Sequence, residues 1–513
     1  MSVARNPGDK SVGFAAPYLS VFDIVRHLFP IGQCSIIPMF DLSQEEITEG
    51  SIPRALLLLA TPLVAQKMVK VVNAAVDIFW LGRLGEGAVA AVGLNFPLVN
   101  LLSAVALVAA VGTQVLVSQR TGADERGRVR AIVIHGMVLA FVLTAVAAAV
   151  VAGGAGTVVR LVGAEGDVAV LAAQYLSFYM LLFPFMSAGD TLEYAFIGVG
   201  DSRMSLYVNL LAVGVNAVLD PLLIFVAGLG VRGAALASGI GYTLGFALSL
   251  SAAVAWRESL TLTRDSVGFD AETFREIVGV GLPIGAQRVA GQSVRVLVVG
   301  IVAVVGGAPG LAAYTVGARI ATISFVPASG LQQAAQSMIG QNLGADRPDR
   351  ARRTTWVGVG IAVVGLSVIG VVQWFVPELL TGLFAPDLST AGFGLTVEYL
   401  RVLAYGYGAI GATYLLLAGF NGASRTGTSL VVDLAKYWGM RLPVAVAALP
   451  AGYVVSAFGL SVAVPGLDLG MSAIFWAVTG SNVLAAVGVG AYYHLQTGRG
   501  GMLERAAERA TAD

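Results

Sequence analysis

Cysteine is almost missing from this chain: there is one, Cys34, in 513 residues. That excludes an internal disulfide and any thiolate metal cluster. Histidine is nearly as scarce, and the three present, His27, His135 and His494, are too scattered for a histidine metal site. Charge is the third shortage, at 12% of residues against about 25% in soluble domains. The 31 basic and 31 acidic residues cancel, so no charge excess invites a nucleic acid. An intramembrane hydrolase lacks support too, since no paired histidines, catalytic cysteine or serine–histidine constellation is present. Nothing marks a bound cofactor. What fills the space is apolar: 57% of residues are hydrophobic, and the mean hydropathy is +0.80. This is an all-α polytopic membrane protein. Its 64 glycines suit helices packed closely in lipid.

Residues 1–50 read as a cytoplasmic extension outside the bundle, their short apolar pieces broken by Arg26, Pro30 and Pro38. No small-residue cleavage site follows an uninterrupted apolar core, so they do not form a signal peptide. Met39, ahead of the acidic run Asp41 to Glu49, is an alternative start. Ser51 as N-cap and Pro53 in the first turn then open the first of twelve long apolar segments. These run roughly over 53–82, 87–118, 130–153, 168–198, 203–227, 232–256, 276–304, 309–340, 354–377, 392–420, 426–449 and 468–494. Each exceeds the ~20 residues that cross a ~30 Å hydrocarbon core. Arginines crowd the connections after even-numbered segments, among them Arg120, Arg126, Arg128, Arg130, Arg203, Arg257, Arg264, Arg275, Arg347, Arg350, Arg352, Arg353 and Arg425. The opposite side has only Arg83, Arg160 and Arg232. The positive-inside rule therefore predicts a plasma-membrane protein with both termini cytoplasmic.

The segments repeat at an offset of about 222 residues. Thr61-Pro62-Leu63-Val64-Ala65-Gln66 echoes Leu282-Pro283-Ile284-Gly285-Ala286-Gln287, and Gln119-Arg120-Thr121-Gly122-Ala123-Asp124 echoes Gln341-Asn342-Leu343-Gly344-Ala345-Asp346. Gly200-Asp201-Ser202-Arg203 echoes Gly422-Ala423-Ser424-Arg425, and Pro221 falls on Pro443. Two six-helix lobes follow, 51–256 and 276–495, with a linker over 257–275 and a cytoplasmic tail over 496–513. An even number of spans per lobe inserts both the same way up, so their pseudo-twofold axis lies along the membrane normal.

Duplication serves as an internal control on the polar residues. Asp220 sits beside Pro221 in an apolar run and shares a helical face with Asn216, while Pro221 deprives the Ala217 carbonyl of its helical donor. In the second half Pro443 persists, but Asp220 becomes Leu442 and Asn216 becomes Trp438. The kink therefore belongs to the fold, and the acidic cluster to the first lobe. Intramembrane carboxylates are costly and mark function. Asp77, near the outer end of segment 1, again lacks an acidic counterpart. Ser238, entering segment 6 from outside, reaches the same depth. An oxygen-only set of this kind suits Na⁺ or a proton shared by two carboxylates. Upstream, Gln66, Lys70 and Asn73 form one polar stripe with Asp77, facing a cleft or a partner helix. Asn95 and Phe96, before Pro97, are further candidates for the cleft.

At these residues the chain resembles the prokaryotic branch of the multidrug and toxic compound extrusion (MATE) family of secondary transporters. The resemblance spans about residues 50–495 and rests on Val76-Asp77, Gly198-Val199-Gly200-Asp201-Ser202-Arg203 and Asn216 to Pro221. Gly230-Val231-Arg232-Gly233-Ala234-Ala235 and Gln341-Asn342-Leu343-Gly344-Ala345 add to it. It implies two six-helix lobes in a V around a central cleft, a monomer, and cation-driven export of small organic compounds, cationic or amphipathic, from among membrane lipids. It also implies H⁺ or Na⁺ binding at Asp77, Asn216, Asp220 and Ser238. Another subgroup carries acids in segments 7 and 10, but those places read Gly291 and, approximately, Ile410 here. The alternative is a lipid-linked oligosaccharide flippase of the same broader superfamily. It needs a strongly cationic cleft, for which Lys70, Arg288 and Arg295 are the deep candidates.

Other polar residues have plainer readings. Asp433 and Lys436 are spaced to form a buried structural ion pair, Glu398 and Arg401 to bridge within their own helix. Asp190 and Glu193 line the inner mouth or pair with Arg288 or Arg295. His135 is a polar residue at the entrance of segment 3.

Overall fold

Runs of Ala, Val, Leu and Gly with few charges leave the backbone one way to satisfy its polar groups in lipid, the α-helix. The computed structural model describes residues 42–255, 259–263, 268, 270–457, 460–498 and 501–511, with side chains left aside over 455–462. The Met39 start, Arg257 and Arg264 lie outside the described residues. The first six spans are α1 (Ile52–Leu84), α2 (Glu86–Gly122), α3 (Arg126–Gly153), α4 (Gly166–Gly198), α5 (Ser202–Pro221) and α6 (Val231–Ala255). The helical run Ala271–Ser324 breaks at Gly307, where φ is 56°. Only glycine adopts that conformation cheaply, and the break divides α7 (271–306) from α8 (308–324, continued by Val326–Gly344). Then come α9 (Pro348–Phe375), α10 (Thr390–Ala404 and Tyr407–Gly422, bent by 52°), α11 (Thr426–Leu434, extended to Ala447) and α12 (Gly470–Gln496). All twelve expected segments thus have a helical counterpart. Nine helical runs among the described residues pass a simple length and hydropathy test for crossing a membrane, or ten with the bent α10 pair.

Two spans depart from the expected kink. In α5 the chain stays helical through Pro221 and widens into a π-helical turn over Leu222–Val226. In α11 a π-helical stretch, Ala435–Arg441, precedes Pro443. π-turns inside α-helices cluster at functional sites.

Each lobe has its own apolar core. Val115, Ile132, Leu192 and Phe196 anchor the first, and Val298, Tyr399, Tyr407 and Phe475 the second. A third cluster crosses between them, joining Leu56 and Leu63 of α1 to Met338, Leu343, Leu416 and Tyr493.

The landmarks that repeat in sequence meet in space. Gln119 donates to the Gly422 carbonyl at 2.8 Å and to Ser424 Oγ at 3.0 Å. Its counterpart Gln341 donates to the Gly198 carbonyl at 2.8 Å. Glycine is required beside them: a β-carbon on Gly122 would sit 2.0 Å from the Gln341 carbonyl, and one on Gly344 1.8 Å from that of Gln119. The lobes are therefore closed against each other at the arginine-rich end.

Both chain ends correct the expected boundaries. Gln44–Thr48 forms a helix with a Ser43 capping box, Ile47 is fully buried, and Gln44 donates to the Thr121 carbonyl at 2.8 Å. Arg350 donates to the carbonyls of Ile47 and Gly50, and Arg347 pairs with Glu49. Beyond α12, the helix Met502–Thr511 buries Met502, Leu503, Ala506, Ala507 and Ala510 against α8 and α9. Arg120 of the first lobe donates to its Ala510 carbonyl at 3.2 Å. The segment read as a cytoplasmic tail is amphipathic, and docks because burying one Leu or Met gains about 1.5–3 kcal/mol.

Candidate cation site and its facing lobe

The first-lobe acids converge. Asn73 and Asp77, one turn apart on α1, are joined by a bond from Asn73 Nδ2 to Asp77 Oδ2 at 3.2 Å. On α5, Asn216 Nδ2 donates to Asp220 Oδ1 at 3.2 Å and to Ser238 Oγ of α6 at 3.5 Å. Asn216 and Asp220 are each 1% exposed. Close approach of α6 to α5 depends on Gly241, whose β-carbon would fall 2.5 Å from the Ala212 carbonyl. The Asp77 and Asp220 carboxyls are within hydrogen-bonding reach of one another. Four buried oxygens, Asn73 Oδ1, Asp77 Oδ1, Asn216 Oδ1 and Asp220 Oδ2, have no donor. Buried oxygens are seldom left so, and two facing carboxylates need a positive charge between them. This donor set fits a hard cation or a shared proton.

The rest of the polar stripe divides. Lys70 lies within electrostatic reach of Asp190 and Glu193 and 5.8 Å from the Tyr242 ring centroid, so its charge belongs to a separate cluster nearer the arginine-rich end. Gln66, a cleft candidate on a stripe read as facing a cleft or a partner helix, is buried and donates to Glu193 Oε1 of α4 at 2.6 Å. Asn95 is likewise buried, its Nδ2 donating to the carbonyls of Ala91 and Ala172. Phe96 is 68% exposed.

Glu193, read as lining the inner mouth or pairing with Arg288 or Arg295, is buried and bonds to neither arginine. Its carboxylate accepts from Gln66, from Ser205 Oγ at 2.9 Å and from Asn209 Nδ2 at 2.6 Å. That knot ties α4 to α1 and α5 below the Asp77–Asp220 pair. Tyr175 of α4, within electrostatic reach of both aspartates, went unnoticed in sequence. Its spacing with Tyr179 and Phe183, which continue as a ring ladder, was the readable signal.

In the second lobe the Asp433–Lys436 pair forms as expected, at 2.6 Å, and Gln287 Nε2 donates to Asp433 Oδ2 at 2.6 Å. Glu398 and Arg401 do not bridge each other. Arg401 pairs with Glu378 at 2.6 Å, and Glu398 accepts from Ser472. Their side chains point to neighbouring elements rather than along their own helix. His135 is buried, and its Nε2 accepts from the Asp270 N–H at 2.8 Å.

The MatE family model matches residues 62–222 and 283–447, one stretch in each lobe. The chain belongs to the MatE family. As a MATE protein it is a secondary transporter embedded in a membrane, not an enzyme. A Shewanella oneidensis FAD transporter is 24% identical over 434 residues, covering 82% of this chain and 93% of that protein. The probable multidrug resistance protein NorM of Thermotoga maritima is 25% identical over 413 residues, covering 79% of this MATE chain and 87% of that one. Among solved structures, a multidrug resistance MATE family transporter in an outward-facing conformation superposes with a TM-score of 0.81 at 20% identity, covering 89% of this chain and 98% of that one. A MOP superfamily transporter from Pyrococcus furiosus also scores 0.81, at 21% identity and with the same coverage; its binding pocket is described as having reverse polarity, suggesting a different function. Both structural likenesses concern the fold.

Proposed function

We propose that this MATE chain exports small organic compounds across the cell membrane in exchange for H⁺ or Na⁺ bound at Asp77, Asn216, Asp220 and Ser238. The observation that carries this is the set of four donorless buried oxygens on α1 and α5. Its absence from the second lobe supports a role in coupling rather than architecture. The arginine-rich end faces the cytoplasm. With the lobes sealed there by Gln119 and Gln341, the cleft opens outward, the state in which an external cation enters and substrate leaves. Inward release of the cation resets the lobes. Coupling requires that cation and substrate favour different states, since equal affinity for both shifts nothing. The NorM relatives, named as multidrug resistance proteins, favour organic substrates, and the relative named as an FAD transporter widens the range. The protein works as a monomer, each chain holding both lobes.

The test is substrate flux from proteoliposomes under separately imposed Na⁺ and H⁺ gradients. One of the two drives export in the wild type, and Asp220→Asn abolishes it while folding normally. Undiminished gradient-driven export by that variant would sink the coupling site.

A further inference from the structure

The second lobe carries three arginines on α7 and α11, the repeats of the α1 and α5 that bear the first-lobe acids. Arg288 and Arg295 lie on α7, and Arg441 on α11 stands one residue before the counterpart of Asp220. Where α1 and α5 bring Asp77 and Asp220 together, α7 and α11 carry Arg288, Arg295 and Arg441.

These cations belong to one neighbourhood. Arg295 and Arg441 both act electrostatically on Tyr314 and Tyr399. Arg441 lies 4.7 Å from the Tyr437 ring centroid and Lys436 4.3 Å from it. Gly291 leaves room for that ring, which comes 3.5 Å from where a β-carbon would be. Arg288 acts on Tyr414 of the second lobe and Tyr194 of the first, and donates across the lobes to Asn100 Oδ1 at 3.3 Å. It therefore stands at the seam.

Among the described residues Asp433 is the one carboxylate joined to this group, and Lys436 and Gln287 already occupy it. Arg441 bonds only to neutral oxygens, Ser481 Oγ at 3.1 Å and the Val478 carbonyl at 3.3 Å. Among the described residues, no carboxylate lies within ion-pair distance of Arg288, Arg295 or Arg441. Unpaired guanidinium groups along membrane-spanning helices face water-filled cavities or ligands rather than lipid. The planar fork of arginine matches a carboxylate or phosphate and also stacks on rings. Lys436, Tyr437 and Arg441 all stand on the π-helical stretch of α11. Trp438 beside them is 43% exposed, its Nε1 bonded to the Ala290 carbonyl.

We propose that the second lobe is the substrate subsite and takes an organic anion bearing a planar ring. Arg288, Arg295 and Arg441 hold its negative group, and Tyr437 and Trp438 its ring. This rests on the transport reading above and adds the substrate class to it: the cation binds one lobe and the anion the other. An anionic group could also belong to a lipid-linked diphosphate, and the ring separates the two sources.

The experiment is equilibrium binding to purified protein in nanodiscs, with fluorescein as the anionic ring probe, ethidium as the cationic one and farnesyl diphosphate as the lipid-like anion. Fluorescein binds more tightly than ethidium or farnesyl diphosphate, and Arg441→Gln and Arg288→Gln each weaken it about tenfold. Arg441→Lys, which keeps the charge, is the milder variant, and monodisperse elution confirms folding. Trp438→Ala weakens fluorescein without restoring ethidium. Preference for ethidium, no binding of fluorescein, or fluorescein binding indifferent to both arginine variants overturns the inference. Displacement of nothing but farnesyl diphosphate points to a lipid-linked anion and overturns the ring. Gradient-driven flux in Asp220→Asn reads the coupling site separately, so either reading fails without the other.

Discussion

Asp77 of α1 and Asp220 of α5 turn their carboxyls toward each other, within hydrogen-bonding reach, with Asn73 and Asn216 each bonded to one of them. Nothing in the helices themselves requires this pairing. It concentrates charge where the membrane penalises it, and it does so in one lobe of a duplicated chain.

In the proposed site the Asn216 amide and the Ser238 hydroxyl would serve the cation without carrying its countercharge. Asn216→Ala and Ser238→Ala therefore raise the cation concentration for half-maximal export several-fold while keeping the maximum, whereas Asp77→Asn abolishes export. Initial rates against Na⁺ or pH check this. An unchanged half-saturation in Asn216→Ala would remove that amide from the site.

Glu193 is 2% exposed and receives three hydrogen bonds. Glu193→Ala leaves Gln66, Ser205 and Asn209 without their acceptor, at about 3 kcal/mol or more. Thermal unfolding in detergent shows a clearly lowered midpoint for Glu193→Ala and a smaller drop for Glu193→Gln, which keeps one carbonyl acceptor. Equal midpoints in both variants and wild type would reduce the knot to a passive contact.

Gly344 touches the Gln119 backbone of the other lobe, and Gln119 bonds Ser424. With Cys34 replaced, the pair Gln119→Cys and Ser424→Cys cross-links readily. Adding Gly344→Val wedges the seam and slows that cross-link sharply. Undiminished cross-linking would mean that the seam tolerates the wedge.

Asp270 caps the start of α7, accepting from the Thr273 hydroxyl and from the backbone N–H groups of Glu272 and Thr273. The Thr273 bond first, then the two backbone bonds, hold its carboxyl below the usual carboxylate range. Because the folded value is depressed, the stabilisation is present above the unfolded aspartate value near about pH 4 and is lost as pH falls through the folded value. Asp270→Asn removes this acid-side dependence while retaining the cap at neutral pH. Midpoints of both proteins measured from neutral to acidic pH converge on acidification; a constant gap contradicts the assignment.

Particular residues show where sequence reading reached its limit. Asp77, Asn216 and Asp220 stood out because the second half lacked them, Ser238 because its depth in segment 6 matched theirs, and in the fold they come together. Gln66 and Asn95 looked equally polar, yet each points into the protein toward an acceptor on another helix. Glu193 was misassigned for the same reason: its partners lie up to 127 residues away, and one-dimensional spacing carries no record of them. The Met502–Thr511 helix was passed over as a tail because ten residues cannot cross a membrane.

The apolar runs, their length, the arginine asymmetry and the repeat were determined by the sequence alone. Lipid accepts few backbone solutions, and a duplicated pattern constrains its own topology. Tertiary structure decided which polar groups face one another: the two aspartates in the first lobe, the unpaired arginines in the second and the glutamines at the seam. Those relations depend on helix rotation and close approach, which glycines such as Gly122 and Gly344 permit and which only packing brings about.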